Sequence, residues 1–350
     1  MRIKKKNILT LDNFIHKALY NTKSGYYMKK NPFGKFGDYI TSPNISILFS
    51  EMIAIWIILF WQHLKCPKKF NLIELGAGNG EMLNQICKTF NNFPVFKNSC
   101  KINILEKSTY LKKIQKKKLN KKNIKWLNNL NKISNIPNIF IANEFFDALP
   151  IKQFIKKKDK WYEKNVKINN LKKFEFVDIL TDIKKIEKEI GFKISYKQNF
   201  IEYSPLSLNY LKIISRKIKY NNGGILIIDY GYWDRKMKNT LKSIYKHNFN
   251  DPLNKFGQSD ITYNLNFNLF EKIFKKNGLK INGKTNQKNF LINLGILKRA
   301  EIISKKMSFS KKANIYFRVK RLIDKDLMGD LFKVIFASKK NTKFQTGFIN

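Results

Sequence analysis

The chain has 350 residues, of which 69 are Lys or Arg and 25 are Asp or Glu, so its formal net charge is +44. Because 43% of its residues are hydrophobic, the chain can bury a large core, which excludes an intrinsically disordered protein. The longest apolar run, about ten residues at 52–61, is much shorter than the roughly 20 that a membrane-spanning helix needs. The basic N-terminus also lacks an apolar signal core. We therefore expect a cytoplasmic protein without a membrane span.

The positive charge comes almost entirely from lysine, since only six of the 69 basic residues are arginine. Proteins that read nucleic acids usually retain arginine for bidentate contacts, so we attribute the excess to a solvated surface shaped by a biased genome. Non-specific binding of nucleic acid is still expected at low salt. Cys66, Cys87 and Cys100 show no paired spacing, and the histidines are scattered. The sequence therefore predicts neither a disulfide framework nor a metal site.

The predicted elements begin with an amphipathic helix at residues 11–20, for which Thr10 would be the N-cap. A turn-rich loop at 31–43 and a buried helix at 45–63 follow. Apolar strands are then predicted at 70–75, 102–105, 139–142 and 224–228, with helices at 81–90 and 109–119. Such an alternation indicates a parallel sheet covered on both faces. The polar, strand-like stretch at 154–203 interrupts it and is predicted to be an insertion that forms part of a substrate platform.

Three glycines, Gly76, Gly78 and Gly80, follow the strand predicted at 70–75 and precede a helix. They let the backbone turn sharply and approach a ligand, but their spacing differs from the GxGxxG of dinucleotide-binding folds. Glu74 before the turn and Glu106 after the next strand are placed to bind the amino-acid part and the ribose of S-adenosylmethionine. These residues together predict an adenosyl-cofactor site. A helix-capping turn with a surface glutamate, or a site for NAD or FAD, are the alternatives.

A second polar group, Asn143, Glu144 and Asp147, follows the strand predicted at 139–142. Ligands bind at the carboxyl ends of strands in open α/β sheets, so we expect these side chains to face the reactive end of the cofactor. Methyl transfer requires an aligned acceptor, and a pair of carboxylates suits a guanidinium. A base-modifying enzyme would more naturally carry Asn-Pro-Pro-Tyr here. The acids favour a cationic acceptor over nucleic acid; the alternative is that Asp147 only caps the next helix.

Short motifs in a characteristic order extend from about residue 18 to residue 335. They are Ala18-Leu19-Tyr20, Gly25-Tyr26-Tyr27, Pro32-Phe33-Gly34, Gly37 to Pro43, Glu74 to Gly80, Asn143 to Pro150, Ile228 to Tyr232, Asp260 with Thr262, Phe290 to Ile296 and Met328 to Lys333. This order resembles the MidA family of S-adenosylmethionine-dependent methyltransferases, which includes protein arginine methyltransferases of the mitochondrial complex I assembly factor 7 type. The chain departs from the family pattern at Asn44 and Asn266, where acidic residues are expected.

The resemblance implies a class I methyltransferase fold, an α/β Rossmann-like architecture with a helical N-terminal extension and an inserted substrate subdomain. It divides the chain into an extension at 1–66, whose glycine-rich loop covers the cofactor, and a methyltransferase core at 67–350 with the insertion at about 154–203. It further implies methyl transfer to an arginine of a protein substrate, which for mitochondrial members is a respiratory complex I subunit. A eukaryotic member would be mitochondrial rather than cytoplasmic.

The resemblance also assigns roles to individual residues. It places Glu74, Gly76, Gly78, Gly80 and Glu106 at the cofactor, Gly37, Asp38 and Thr41 in a loop over it, and Asn143, Glu144 and Asp147 beside the acceptor as catalytic residues. Two other functions are weighed against arginine methylation: an RNA methyltransferase, which the charge favours, and a non-catalytic assembly chaperone that retains the cofactor pocket. In so positive a chain, a cationic arginine substrate requires a local acidic cleft.

Overall fold

The computed structural model describes residues 8–34, 38, 40–120, 123–169, 171 and 173–349. The helices in chain order are α1 (Leu11–Tyr20), α2 (Tyr26–Lys29), α3 (Ser42–Ile45), α4 (Ile47–His63), α5 (Glu81–Phe90), α6 (Pro94–Ser99), α7 (Thr109–Leu119), α8 (Ile183–Ile190), α9 (Pro205–Asn221), α10 (Phe267–Lys276), α11 (Gln287–Asn293), α12 (Ile296–Ser304) and α13 (Phe309–Ile323). The strands are β1 (Ile8–Thr10), β2 (Phe70–Leu75), β3 (Cys100–Leu105), β4 (Ile124–Leu127), β5 (Asn138–Asn143), β6 (Lys152–Lys157), β7 (Lys160–Ile168), β8 (Phe174–Thr181), β9 (Phe200–Tyr203), β10 (Gly223–Tyr232), β11 (Lys242–Tyr245), β12 (Asn248–Asn250), β13 (Asp260–Thr262), β14 (Leu265–Asn266), β15 (Leu279–Asn286) and β16 (Phe332–Lys339).

The two helices predicted near the N-terminus form, with differences at their first turns. Helix α1 has the predicted bounds, but the Thr10 side chain makes no capping hydrogen bond and instead accepts one from Asn13 Nδ2 at 2.8 Å. Helix α4 begins two residues later than predicted, because Ser46 caps it by accepting a hydrogen bond from Leu48 N at 3.3 Å. Its apolar surface is buried on most sides, as its composition predicts.

The central sheet has the strand order β15-β16-β10-β5-β2-β3-β4. Every neighbouring pair from β10 to β4 is parallel, whereas β16 lies antiparallel between β10 and β15. The predicted parallel α/β sheet is therefore present, and an antiparallel strand is added at one side. Because β2, β3, β5 and β10 run in the same direction, their carboxyl ends meet at one edge. The residues that follow these strands are brought together there.

Helices cover both faces of this sheet with apolar side chains. On one face, α1, α9 and α10 pack against inward residues such as Ile73 and Ile227. On the other face, α4, α5 and α11 pack against the alternate residues, including Leu72 and Ile228. Alternate residues of a strand point to opposite faces, so one continuous apolar run supplies both cores. The extension predicted at 1–66 contributes to both clusters: α1 lies in the first and α4 in the second.

A second sheet is built mostly from the segment predicted as an insertion. Its order is β1-β7-β6-β9, and β8 pairs with the opposite edge of β7 from Trp161 to Ile168; all these pairs are antiparallel. The N-terminal strand β1 joins it through a register of Ile8 to Lys167, a pairing between segments far apart in the chain. A small third sheet has the order β12-β11-β13 and is formed by residues that follow β10 in the chain. Within the described ranges, none of the helices combines the length and apolar character that crossing a membrane requires.

Candidate active site

A cavity of about 1100 Å³, including its open mouth, lies at the carboxyl edge of the central sheet; we name it the main cavity. Residues that follow successive strands line it: Gly76 and Gly78 after β2, Glu106 after β3, and Glu144 with Asp147 after β5. A smaller side pocket of about 370 Å³ shares Gly76, Gly78 and Glu144 with it and extends to Glu74, Thr41 and Asn143. The structure thus brings together most of the residues to which the sequence assigned roles.

The glycine loop adopts backbone conformations that side chains disfavour. Gly76, Gly78 and Gly80 have φ values of +67°, +50° and +77°. A Cβ atom on Gly76 would lie 2.6 Å from Phe145 Cδ2, and one on Gly78 would lie 3.3 Å from Phe33 Cε2. Glycine at these two positions therefore keeps the wall of the cavity open. Gly80 lies at the N-cap of α5 and lines neither cavity, so its place in the structure is the turn itself.

Glu74 and Glu106 differ in how their carboxyl groups are held. Glu106 Oε1 accepts a hydrogen bond from Ser108 N at 2.9 Å, and its Oε2 accepts one from Gln115 Nε2 at 3.0 Å. Glu74 is buried, and its Oε2 has no hydrogen-bond partner among the described residues. Burial, followed by the charge of Glu106, raises the pKa of Glu74 to about 8. A donor group on a ligand would satisfy this oxygen.

The turn after β5 is held by a buried acid, Asp229, which the sequence places at the end of the fourth predicted strand, either ordering the floor of the site or making a buried structural hydrogen bond. Asp229 Oδ2 accepts hydrogen bonds from the backbone N–H groups of Phe145, Phe146 and Asp147 at 3.2, 2.9 and 3.4 Å. Its Oδ1 accepts a bond from its neighbour Tyr230 N at 2.9 Å. Glu144, at φ +50°, is thereby fixed with its Oε1 accepting from Ser42 N at 3.2 Å and Asn143 Nδ2 at 3.1 Å. Asp229 is a positioning residue for this turn.

Residues from the third sheet form the opposite wall. Thr262 Oγ1 donates to Asp147 Oδ2 at 3.0 Å, and Asp260 Oδ1 accepts from Tyr27 OH at 2.9 Å. Both Asp260 and Thr262 line the main cavity, as does Lys242 of β11. The other carboxylate oxygen of Asp147, Oδ1, is buried and has no partner among the described residues, and the same holds for Asn143 Oδ1. These unpaired acceptors point to a ligand that donates hydrogen bonds.

Several carboxyl groups around the main cavity have pKa values that are raised toward neutral pH. Desolvation, followed by the charge of Asp147, raises the pKa of Glu144 to about 8 and that of Asp260 to about 7. Desolvation also raises the pKa of Asp147 to about 6, against the lowering effects of the Thr262 hydrogen bond and of Lys242. Among the described residues, four acids and two lysines, Lys107 and Lys242, line the main cavity in a chain of net charge +44. Acidic side chains thus outnumber lysines here, so the cavity is a local acidic cleft in composition, and its charge depends on how many of these carboxyls are ionised.

The raised pKa values make the ligand-free chain less stable as pH rises. A carboxyl with a pKa of about 8 when folded keeps its proton where the unfolded chain has lost it. Its stabilising contribution is complete below the ordinary value near 4.5 and is lost as pH rises through about 8, by at most about 1.4 kcal/mol per pH unit. We expect the melting temperature to fall between pH 5 and 8, and Glu144→Gln to reduce that fall. Glu301→Gln, at an exposed position, is the control; equal slopes in both variants would contradict the assignment.

Aromatic side chains complete the lining, and apart from Tyr230, which the sequence places beside Asp229, the sequence assigns them no role in the site. Tyr20, Tyr27, Phe33, Phe145, Tyr210 and Tyr230 all line the main cavity. Tyr20 and Tyr27 stack with ring centroids 5.6 Å apart, and Tyr20 OH donates to Ala148 O at 3.0 Å. Aromatic faces attract cations. The motif Ala18-Leu19-Tyr20 marks Tyr20 as part of the family pattern. The neighbouring sequence does not show, however, that Tyr20 contacts a turn 128 residues away.

Comparison with known proteins decides the family. Residues 52–285, which make up more than half of the chain, match the family described as "Putative S-adenosyl-L-methionine-dependent methyltransferase". The chain belongs to the MidA family of S-adenosylmethionine-dependent methyltransferases. The predicted family, fold class, enzyme class and cofactor are thereby confirmed.

Several curated relatives and solved structures resemble this methyltransferase along most of its length. It is 27% identical over 357 residues to the mitochondrial protein arginine methyltransferase NDUFAF7 of Xenopus laevis, covering 95% of this chain and 81% of that protein. The human protein of the same name is 26% identical over 371 residues, covering 99% and 83%. A Burkholderia thailandensis protein solved with S-adenosyl-homocysteine shares the fold, with a TM-score of 0.81, 22% identity and coverage of 98% and 89%.

Some residues that the sequence predicts for the site of this methyltransferase lie away from the two cavities, and one lies outside the described residues. Gly37 lies outside the described residues. Asp38 lines neither cavity and pairs with Lys30 Nζ at 2.5 Å and Tyr26 OH at 2.5 Å, whereas Thr41 does line the side pocket. Asn44 and Asn266, which replace expected acids, have structural contacts: Asn44 accepts from Asn79 Nδ2, and Asn266 caps α10. The described part of the chain contains no cluster of three His, Cys, Asp or Glu side chains suited to a metal.

Proposed function

We propose that this methyltransferase transfers a methyl group to a guanidinium nitrogen of an arginine in a protein substrate. The observation that carries the proposal is the unpaired oxygen of Asp147, Oδ1, buried beside Glu144 in an acidic, aromatic cavity. Carboxylate and amide oxygens only accept hydrogen bonds, so the matching ligand must present donors. A guanidinium has five N–H donors and no acceptor, and it remains charged in solution. The relatives named protein arginine methyltransferases support the same acceptor.

The chain offers separate residues for the cofactor and for the acceptor. We propose that Glu74, Gly76, Gly78 and Glu106 hold S-adenosylmethionine. Glu74 Oε2, which is buried and has no partner among the described residues, suits the ammonium group of the cofactor, and the glycines leave room at the wall. Gly80 would shape the loop from its turn, and Thr41, with Gly37 and Asp38 of the same segment, would cover the site. When bound, the cofactor supplies an electrophilic methyl group. The sulfonium ion would also be favoured by the surrounding tyrosine faces.

Glu144, Asp147 and Asn143 would orient the acceptor and manage its proton. Two carboxylates can hold a guanidinium in one plane, which aligns one nitrogen toward the incoming methyl group. When the nitrogen–carbon bond forms, one N–H proton must leave so that the product remains a singly charged methylguanidinium. A guanidinium bound beside Glu144 favours the ionised form of its carboxyl, so the proton that Glu144 holds in the ligand-free chain leaves on binding. A carboxylate whose pKa desolvation raises to about 8 is then a better proton acceptor than a surface glutamate, which favours Glu144 for this role. Asp147 would then remain the fixed anionic partner.

Two finer assignments follow from the resemblance rather than from the geometry. We propose a respiratory complex I subunit as the acceptor protein, in keeping with the assembly-factor type of relative. For the location, we propose the cytoplasm of a bacterial cell or the mitochondrion of a eukaryotic one; the curated relatives are named mitochondrial. Neither assignment affects the chemistry proposed for the cavity.

The acceptor can be identified by incubating the enzyme with methyl-labelled cofactor and a cell lysate. We expect the label to enter protein, to be removed by protease and resistant to nuclease, and to map by mass spectrometry to arginine. The Asp147→Asn enzyme is the matched control, because any label that it transfers to protein does not depend on the proposed active site. Label released by nuclease would replace the proposal with an RNA methyltransferase. An enzyme that binds the cofactor but labels no lysate component would instead be the non-catalytic chaperone.

A further inference from the structure

A strongly basic protrusion lies between α12 and α13, on helices that form no part of either cavity described above. Residues 305–314 are all exposed, ten in succession, and we name this segment the basic tip. It contains Lys305, Lys306, Lys311 and Lys312, and no acidic residue occurs between positions 302 and 323. Ion pairs of Lys298 with Glu301 and of Lys320 with Asp324 lie on either side of the tip. The tip thus presents a concentrated positive charge.

Apolar side chains lie at the centre of this charge. Phe309 is 88% exposed and lies, with the exposed Met307, between the two lysine pairs. Ile302, three residues before the tip and near the end of α12, is exposed as well. Fully exposed large apolar side chains are costly in water, and a group of them ringed by cations marks an interaction surface. Lysine stems can lie along such apolar surface while their ammonium groups remain hydrated.

The tip projects from the domain and offers no groove in which a ligand or peptide could bind. The buried residues of α13 are Val319 and Leu322, and Ile315 and Tyr316 are partly buried against the same core, so only the residues before Ile315 project from the domain. At 1.5 Å per residue, Phe309 stands about 9 Å along the helix from Ile315. The N-terminus of α13 also contributes a partial positive charge at this point. A convex tip of this kind can enter a soft surface but cannot enclose a ligand.

From this arrangement we propose that the basic tip docks the enzyme on an anionic membrane surface, with Phe309 and Met307 inserted at the level of the lipid headgroups. Lipid phosphates would neutralise the four lysines, and the apolar side chains would leave water for the acyl boundary. RNA is the less suitable polyanion, because Phe309 is the single aromatic face of the tip, Met307 and Ile302 offer none for stacking bases, and the tip contains no arginine. The docking is peripheral and does not depend on arginine as the acceptor.

Sedimentation of the full-length enzyme with lipid vesicles tests the proposal. We expect binding to vesicles of phosphatidylglycerol and phosphatidylcholine in equal parts, weak binding to phosphatidylcholine alone, and a loss of binding as salt is raised. Lys311→Gln with Lys312→Gln should lower the partition coefficient by about 25-fold, or about fivefold per lysine. Phe309→Ser should lower it by about tenfold. All these positions are exposed, so melting temperature and methyl transfer in vesicle-free buffer should not change.

Matched substitutions elsewhere on the surface separate docking from general charge. Lys184→Gln with Lys185→Gln removes an exposed lysine pair on α8, and Phe249→Ser removes a phenylalanine that is 83% exposed. Both should leave vesicle binding within about twofold. Equal losses in the control and tip variants would overturn the proposal, as would wild-type binding that ignores lipid charge.

A fluorescent reporter tests insertion directly. Phe309→Trp should shift its emission to shorter wavelength on addition of the anionic vesicles, because the indole leaves water, whereas Phe249→Trp should not. An emission that stays unshifted at position 309 would exclude insertion. Tip-dependent binding to polyuridylic acid without tip-dependent binding to vesicles would assign the surface to RNA and overturn the membrane proposal.

Discussion

Replacing Asp147 by Asn is expected to lower the rate of methyl transfer by at least about 100-fold while the enzyme still binds S-adenosylhomocysteine. The substitution keeps the shape of the side chain and the contact with Thr262 Oγ1, which now lies at 3.0 Å from Oδ2. It removes the negative charge and places an N–H₂ group where donors of the substrate should bind. Donor then faces donor, and a buried guanidinium would lose its charged partner. Glu144→Gln should act in the same direction.

Initial rates with labelled cofactor, combined with calorimetric titration of S-adenosylhomocysteine, separate chemistry from binding. The matched control is Glu51→Gln, which removes a partly buried carboxylate that pairs with Arg299 Nε at 2.8 Å. Glu51 does not line the main cavity. The rate of this variant should change little even though an ion pair is lost. If Asp147→Asn turned over at the normal rate, Asp147 would have no part in transfer. A parallel loss of cofactor affinity would mean that the turn itself had been disturbed.

Replacing Gly78 by Val is expected to lower the affinity for S-adenosylhomocysteine by at least about 100-fold, the equivalent of roughly 2.7 kcal/mol. Two effects act together at this position. The residue has φ +50°, which a β-branched side chain resists, and its Cβ would lie 3.3 Å from the ring of Phe33. The valine methyl groups would extend further into the space between the glycine loop and that ring, where we place the cofactor. Glu106→Ala should also weaken binding, by about tenfold or more.

Gly295→Val provides a close control for backbone strain. Gly295 has φ +85° and lies at the N-cap of α12, and, its two chain neighbours aside, no atom of the described residues lies within 4 Å of the position its Cβ would take. Valine there meets the same conformational cost without filling a cavity wall. Titration calorimetry at a temperature where both variants remain folded should find normal affinity in Gly295→Val and a large loss in Gly78→Val. Undiminished affinity in the Gly78 variant would remove the glycine loop from the cofactor site.

The first half of the site could be predicted because it follows local rules. Parallel strands end at one edge, so Gly76 after β2, Glu106 after β3 and Glu144 after β5 had to lie near one another once the strands were recognised. Each of these residues lies within two positions of the end of a short, mostly apolar segment of four to six residues, at 70–75, 102–105 and 139–142, and such segments are the local signal of a buried strand. The family resemblance drew on the same motifs, and the match of residues 52–285 confirmed it.

The second half of the site could not be predicted, because it depends on contacts between distant segments. Thr262 binds Asp147 across 115 residues, and Tyr27 binds Asp260 across 233. Asp229 binds three backbone N–H groups of the 145–147 turn, whereas the sequence left open whether it orders the floor of the site or makes a buried structural hydrogen bond. The antiparallel position of β16 and the pairing of β1 with β7 are likewise set by the packing of remote elements.

The sequence by itself determined the class of fold, the adenosyl-cofactor loop and the acids beside it, because spacing and apolar periodicity are properties of neighbouring residues. Only the tertiary structure decided which acids became unpaired in an aromatic cavity, since desolvation depends on what the rest of the chain packs around them. The net charge of +44 gave no hint of that acidic cleft. A few buried carboxylates with few counterions set the local field, whereas the many lysines are solvated at the surface.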